Sequence, residues 1–179
     1  YFSFINAIGL ALGMSVSLLT ISFYSFVSSF DDFHRQKESI YRVISTMEKG
    51  GDKEELASVP ASLANRLHNE SGGIKEIVRI NASFRGEVVS DKLSIPIQRG
   101  YYADLNFFSV FDFEMIQGNP RTALSKPNSI VLIESVAKKI EASGEVLGKT
   151  LEFDGLGTFE VTGVIRDEKR THLWFEALV

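Results

Sequence analysis

The feature that most constrains this chain is a run of 29 residues, Phe2 to Phe30, FSFINAIGLALGMSVSLLTISFYSFVSSF, that holds no Lys, Arg, Asp or Glu. At about 1.5 Å per residue, about 20 apolar residues cross a hydrocarbon layer about 30 Å thick, so the run is long enough to span a membrane with some tilt. A secretory signal peptide has a shorter apolar region, about 7–15 residues, followed by a small-x-small cleavage site. Ser25-Phe26-Val27-Ser28 is weak cleavage material, and the apolar run is too long. A buried core helix fits less well, because every face is apolar without relief. Residues 1–30 therefore read as a transmembrane helix in contact with the lipid bilayer.

Inside this helix Gly9 and Gly13 form a G-x-x-x-G pair, with Ser17 one step further along the same face. Small residues at this spacing let a second helix approach closely, so Gly9, Gly13 and Ser17 are candidate helix-packing residues. Glycine is also simply common in membrane helices, and both readings stand. The flank Asp31-Asp32-Phe33-His34-Arg35-Gln36-Lys37 is mixed in charge and sets no orientation.

All 19 Lys and Arg and all 23 Asp and Glu fall in residues 31–179, at the density of an ordinary soluble domain. The net charge of -4 offers no basic face, so no nucleic-acid partner is expected. The absence of cysteine removes disulfides, thiol catalysis and thiolate metal sites. The chain opens at Tyr1 without a methionine, and further sequence is expected before it.

Along the soluble part, a strand is expected around Ile40–Thr46 and a turn at Gly50-Gly51-Asp52. Pro60 opens a helix with Leu63 and Leu67 on one face, ended by Ser71-Gly72-Gly73. Ile74–Ile80, Glu87–Ser90 and Lys92–Gln98 read as strands, the last at a sheet edge because of Pro96. Ala103–Pro120 carries Phe107, Phe108, Phe111 and Phe113 within seven residues, which reads as core more readily than as a pocket for an apolar substrate. Ser129–Ile133 is a short buried strand and Glu134–Ala142 a helix. Lys149–Phe153 and Thr158–Ile165 form a hairpin across Asp154-Gly155-Leu156-Gly157. Strands dominate and helices are short, which places the chain in the α+β class, with no internal repeat.

Chemistry-bearing templates are missing. No phosphate-binding loop G-x-x-x-x-G-K-[ST], G-x-S-x-G elbow or H-E-x-x-H zinc helix occurs, so no catalytic, cofactor-binding or metal residues are assigned and no cofactor is expected in this chain. Asp31-Asp32-x-His34 lacks the further ligands a metal needs and reads as a polar helix exit. Gly155-x-Gly157 is followed by a strand and not by the helix of a nucleotide loop. Asn69-Glu70-Ser71 and Asn81-Ala82-Ser83 are chance-length matches to a glycosylation sequon.

Taken in order, these segments resemble the N-terminal region of FtsX-like permeases with a MacB-like periplasmic core domain. The resemblance begins in the membrane run with Asn6, Gly9, Leu10 and Gly13. It continues through Phe33-His34 and Ile40-Tyr41-Arg42-Val43, then Asp104, Asn106-Phe107-Phe108, Phe111, Gly118, Ala123-Leu124, Pro127 and Ala137-Lys138. Leu147–Phe153, Phe159–Asp167 and Thr171-His172-Leu173-x-Phe175 complete it. Ile140–Glu145 lacks the aromatic-glycine pair common after this helix, and Glu168-Lys169-Arg170 stands where a proline is common.

The resemblance implies a non-enzymatic permease subunit of an ABC transporter, in which a separate cytoplasmic ATP-binding subunit drives motion through the membrane to an outer domain. That motion would serve efflux of antibiotics or peptides, extraction of lipoproteins, or regulation of envelope processes. The implied setting is the bacterial inner membrane, with residues 31–179 in the periplasm as the N-terminal portion of a core domain. The implied assembly is a homodimer or paired permease, with a periplasmic adaptor in some systems. The chain would stop before the second half of the porter part and three later membrane helices. On this reading Ser28–Val43 is a coupling junction, with Asp32, Phe33, His34, Tyr41 and Arg42 as its candidate residues. It has no glycine or proline, so a helix is expected to continue out of the membrane through it. The alternative is a membrane-anchored receptor whose extracytoplasmic domain senses a ligand, which accounts for helix plus domain but not for the ordered motifs.

Overall fold

The computed structural model describes residues 1–70, 72–90, 93–141, 143–168 and 170–179, with Ser90 and Leu93 described by backbone alone. The expected helix stop at Ser71, strand start at Lys92, helix end at Ala142 and the middle of Glu168-Lys169-Arg170 lie outside those residues. The chain divides into two units: residues 1–32 with 170–172, and residues 33–169 with 173–179.

The first unit is built on α1 (Phe2–Ser28), which buries no side chain and is long and apolar enough to cross a membrane. The hydroxyls of Ser15, Ser17 and Thr20 donate to the carbonyls of Ala11, Gly13 and Val16, one turn back, at 2.8, 2.8 and 2.9 Å. These three hydroxyls are thereby satisfied inside the helix, as a lipid environment favours.

In the second unit the described residues form a hairpin, β1 (Ser45–Lys49) with β2 (Asp52–Leu56), and then α2 (Leu63–Glu70). The main sheet follows with β3 (Ile80–Ser90), β4 (Leu93–Ala103), α3 (Phe107–Val110), β5 (Met115–Gly118), β6 (Ser129–Ile133), α4 (Glu134–Ile140), β7 (Thr150–Phe153), β8 (Gly157–Ile165) and β9 (Ala177–Leu178). The class is mixed α+β, strand-rich, behind one apolar helix. The sheet runs β5-β8-β6-β9-β4-β3-β7, and β7 also pairs with β8. Six strands therefore close into a hydrogen-bonded ring, with β5 added along the far part of β8.

Pleating explains what fills this ring. In β7, Leu151 and Phe153 point in while Thr150 and Glu152 point out. β6 is buried at all five positions, as expected of a strand flanked on both sides and covered on both faces. Phe84, Phe153 and Phe159 meet edge to face at centroid distances of 5.3–5.7 Å. A second group joins Phe107, Phe113 and Phe175 at 5.2–5.9 Å. Phe107 is fully buried, and Phe108 and Phe111 are half-buried against the same core, so the phenylalanine cluster is core. α4 packs through Val136 and Ala137.

Several local expectations need correction. Ile40 is extended and residues 41–44 belong to no strand; the first ladder starts only at Ser45, because β2 reaches no further than Leu56 opposite it. Of Ile74–Ile80 only Ile80 joins a strand. Pro60 starts a turn, its carbonyl accepting from the Leu63 N–H at 3.0 Å, and the helix begins at Leu63. Pro96 does not mark an edge strand: β4 lies between β3 and β9. The β9 pairing is confined to Gly100 and Tyr101, however, so Pro96 sits where that flank carries no ladder.

Candidate coupling site

Helix α1 stops at Ser28 and does not run on through residues 28–43. The amides of Ser29 and Phe30 donate to Phe26 and Val27 in a tightened last turn, and Asp31 then takes φ +58°. Asp is among the few residues other than glycine that adopt this left-handed conformation, so a chain free of glycine and proline still turns here.

Within the first unit, Asp31 is held by a segment more than a hundred residues away in sequence. Its N–H donates to the Arg170 carbonyl at 2.8 Å. Its carboxylate accepts the His172 N–H at 3.1 Å, lies 2.6 Å from His172 Nδ1, and is hydrogen-bonded by the Thr171 side chain. The imidazole also lies against the Phe30 ring, centroids 5.0 Å apart. Burial alone raises the Asp31 carboxyl, but the hydrogen bonds from His172 and Thr171 outweigh it and hold the group below its ordinary value.

Within the second unit, residues 33–35 are anchored to the phenylalanine core. Phe33 packs on Phe113, centroids 5.2 Å apart, and His34 is buried against Phe33, Phe111 and Phe113. The N–H of Asp112 donates to His34 Nδ1 at 3.1 Å, which makes Nδ1 an acceptor and places the ring proton on Nε2. The backbone N–H of Arg35 donates to Asp112 Oδ2 at 2.8 Å. Burial raises the Asp112 carboxyl, and its bonds to Arg35 more than reverse that.

The other candidates fall elsewhere. Asp32 is exposed beside Asp31 in the turn. Tyr41 is 83% exposed, and Arg42 donates to the Ala57 carbonyl at 3.1 Å, tying the segment before β1 to the end of the hairpin. The structure thus gathers Phe33 and His34 with Asp112, and leaves Tyr41 and Arg42 outside that cluster. Gly9, Gly13 and Ser17 line one groove of α1 with Leu10, Met14 and Leu18. Among the described residues no three His, Cys, Asp or Glu side chains converge as metal ligands would. Sequence reasoning missed Arg35 and Asp112 as partners, since nothing local distinguishes Asp112 from its neighbours in Phe111-Asp112-Phe113-Glu114.

Comparison with known proteins gives this geometry a family. None of the curated proteins compared with the chain matches it. Among solved structures, a domain described as that of a permease protein from Porphyromonas gingivalis superposes with a TM-score of 0.63 and 23% identity, over 76% of this chain and 59% of that one. The periplasmic region of MacB from Actinobacillus actinomycetemcomitans gives 0.53 and 25%, over 68% of this chain and 54% of that one. The extracellular domain of YknZ, a noncanonic ABC-type transporter from Gram-positive bacteria, gives 0.52 and 19%, over 66% and 60%. The chain spans 54–60% of the length of these structures. The family profile of the MacB-like periplasmic core domain matches residues 3–176, from the second residue of α1 to the residue before β9, and the chain therefore belongs to this family of ABC-transporter permease domains.

Proposed function

We propose that this chain is the N-terminal part of a permease subunit that passes motion from a separate cytoplasmic ATPase to a periplasmic domain, in export or in regulation of the cell envelope. The observation that carries the reading is the match of one family over both the apolar helix and the strand-rich domain. A sensor would need helix and domain only, whereas a permease family accounts for them together. On this reading residues 1–30 lie in the bacterial inner membrane and 31–179 in the periplasm, and the subunit works as a homodimer or paired permease, with an adaptor where the system uses one. ATP hydrolysis belongs to the partner subunit.

Alkaline phosphatase fused after Val179 tests the orientation, since the enzyme is active only outside the cytoplasm. An active fusion is expected. An inactive fusion, with a cytoplasmic reporter active at the same site, would place the domain on the wrong side and end the reading.

A further inference from the structure

We propose that Asp31 is a positioning residue that ties the end of the membrane helix, through Thr171 and His172, to the chain segment running directly into β9. Movement of α1 would then leave the membrane by two routes: the continuous chain at Asp32–Phe33, and the segment 170–178. This proposal rests on the transmission reading above and extends it to a named residue.

The turn alone does not require a carboxylate. At φ +58° glycine would be unstrained, so the side chain of Asp31 is free to be chosen for another purpose. Here it accepts from Thr171, from the His172 amide and at His172 Nδ1, while its own amide donates to the Arg170 carbonyl. Backbone and side chain of one residue thus grip three successive residues, and the Phe30 ring lies against one side of the imidazole. The His172 side chain is 73% exposed, so a single pair with it would be weak in solvent. Four convergent hydrogen bonds, with Thr171 buried, make a firmer connection than that pair.

The gripped segment leads to the middle of the sheet. From His172 the chain passes through Leu173 and Trp174 to Phe175, which is buried, and then to Ala177 and Leu178, which are fully buried between β4 and β6. Few residues separate the clamp from the centre of the strand ring, and none of them is glycine or proline. The short irregular segment between them is itself anchored, with Leu173 packed against the core, the Trp174 carbonyl accepting from the Tyr101 hydroxyl at 3.2 Å and Phe175 buried, so displacement of Thr171–His172 would reach packed strands.

The test uses the full-length permease in lipid nanodiscs with its ATPase, read by deuterium exchange with and without ATP–vanadate trapping, so no transported substrate is needed. Asp31→Gly keeps the turn and removes the carboxylate; Asp31→Asn keeps the turn and an acceptor. In Asp31→Gly the His172 amide should exchange about tenfold faster. The trapping-dependent change in residues 173–178 should be lost while the ATPase rate is kept, and Asp31→Asn should lie between this variant and wild type. Unchanged exchange at His172 would show that the clamp does not hold. Faster exchange with the trapping response intact would show that the clamp carries no motion. A wild-type complex in which trapping changes nothing anywhere in residues 33–179 would overturn the transmission reading itself, with the His172 exchange still deciding whether the clamp exists.

Discussion

Arg35 closes on Asp112 across 77 positions of sequence, its Nε and Nη2 both donating to Oδ1 at 2.8 and 2.6 Å. The same Asp112 gives its N–H to His34, so two neighbours on one segment hold one residue of the core loop from both sides. The exposures rank the two contacts. Arg35 is 87% exposed, and an ion pair so open to water contributes about 0–1 kcal/mol. His34 is 4% exposed and touches three phenylalanine rings. Arg35→Ala should therefore lower stability by less than about 1 kcal/mol, and His34→Ala by about 2 kcal/mol or more, read from urea unfolding in micelles. The reverse order would mean that the ion pair, not the buried ring, is the anchor.

The phenylalanine cluster gives a second ranking. Phe107→Ala should destabilise by about 3–5 kcal/mol, the usual loss for a fully buried ring. Phe108→Ala should lose less, because Phe108 is only half-buried. Thermal melts compare the two. A Phe107→Ala protein with an unchanged melting temperature and lost transport would favour a substrate pocket over a core.

Acid should unfold the chain through three carboxylates. Burial raises Asp31, Asp104 and Asp112, but hydrogen bonds from His172 and Thr171, from Arg79, and from Arg35 respectively more than reverse this. Each group then lies below the ordinary carboxylate range, about 4. A depressed folded value means that the stabilisation is complete above the unfolded value and is lost as pH falls through the folded one. Melting temperature should stay flat from about pH 7 to pH 5 on this account and drop below about pH 4. A drop that begins near pH 6 would point to histidine instead.

Gly118 has φ +92°, and a Cβ there would run into the Thr162 carbonyl across the β5–β8 ladder. Neither the conformation nor the neighbouring backbone can give way easily. Gly118→Ala should lower stability by about 1–3 kcal/mol, measured by chemical denaturation. Wild-type stability would mean that the short edge strand β5 detaches without consequence.

Flexible insertions locate the junction. A Gly-Gly-Ser spacer between Gln36 and Lys37 falls after the anchors at Phe33, His34 and Arg35, so ATP-driven responses of the domain should survive it. The same spacer between Asp32 and Phe33 falls before them and should weaken those responses, read by exchange under vanadate trapping. Equal loss from both sites would extend the working junction into the 3₁₀ turn at Lys37–Ser39.

What the sequence revealed followed from local period and composition. The apolar run, the buried β6, the β7–β8 hairpin and the core role of Phe107 are each written in fewer than thirty adjacent residues. The turn at Asp31 after the end of α1 was not legible, because a left-handed Asp leaves no glycine or proline signal and its partners lie near residue 171. For the same reason Asp112 looked like any polar residue between phenylalanines until the topology set Arg35 against it. Ile40–Ile44 has strand-like residues, but a strand also needs a neighbour, and composition cannot supply one.

The strand ring has a consequence for how the protein is made. β9 is only Ala177 and Leu178, yet it lies between β4 and β6, and without it the ring stays open. Strands β3 to β8 must therefore all be synthesised before that gap can be filled. Closure of the ring thus depends on contacts between residues far apart in sequence, which form slowly compared with local ones.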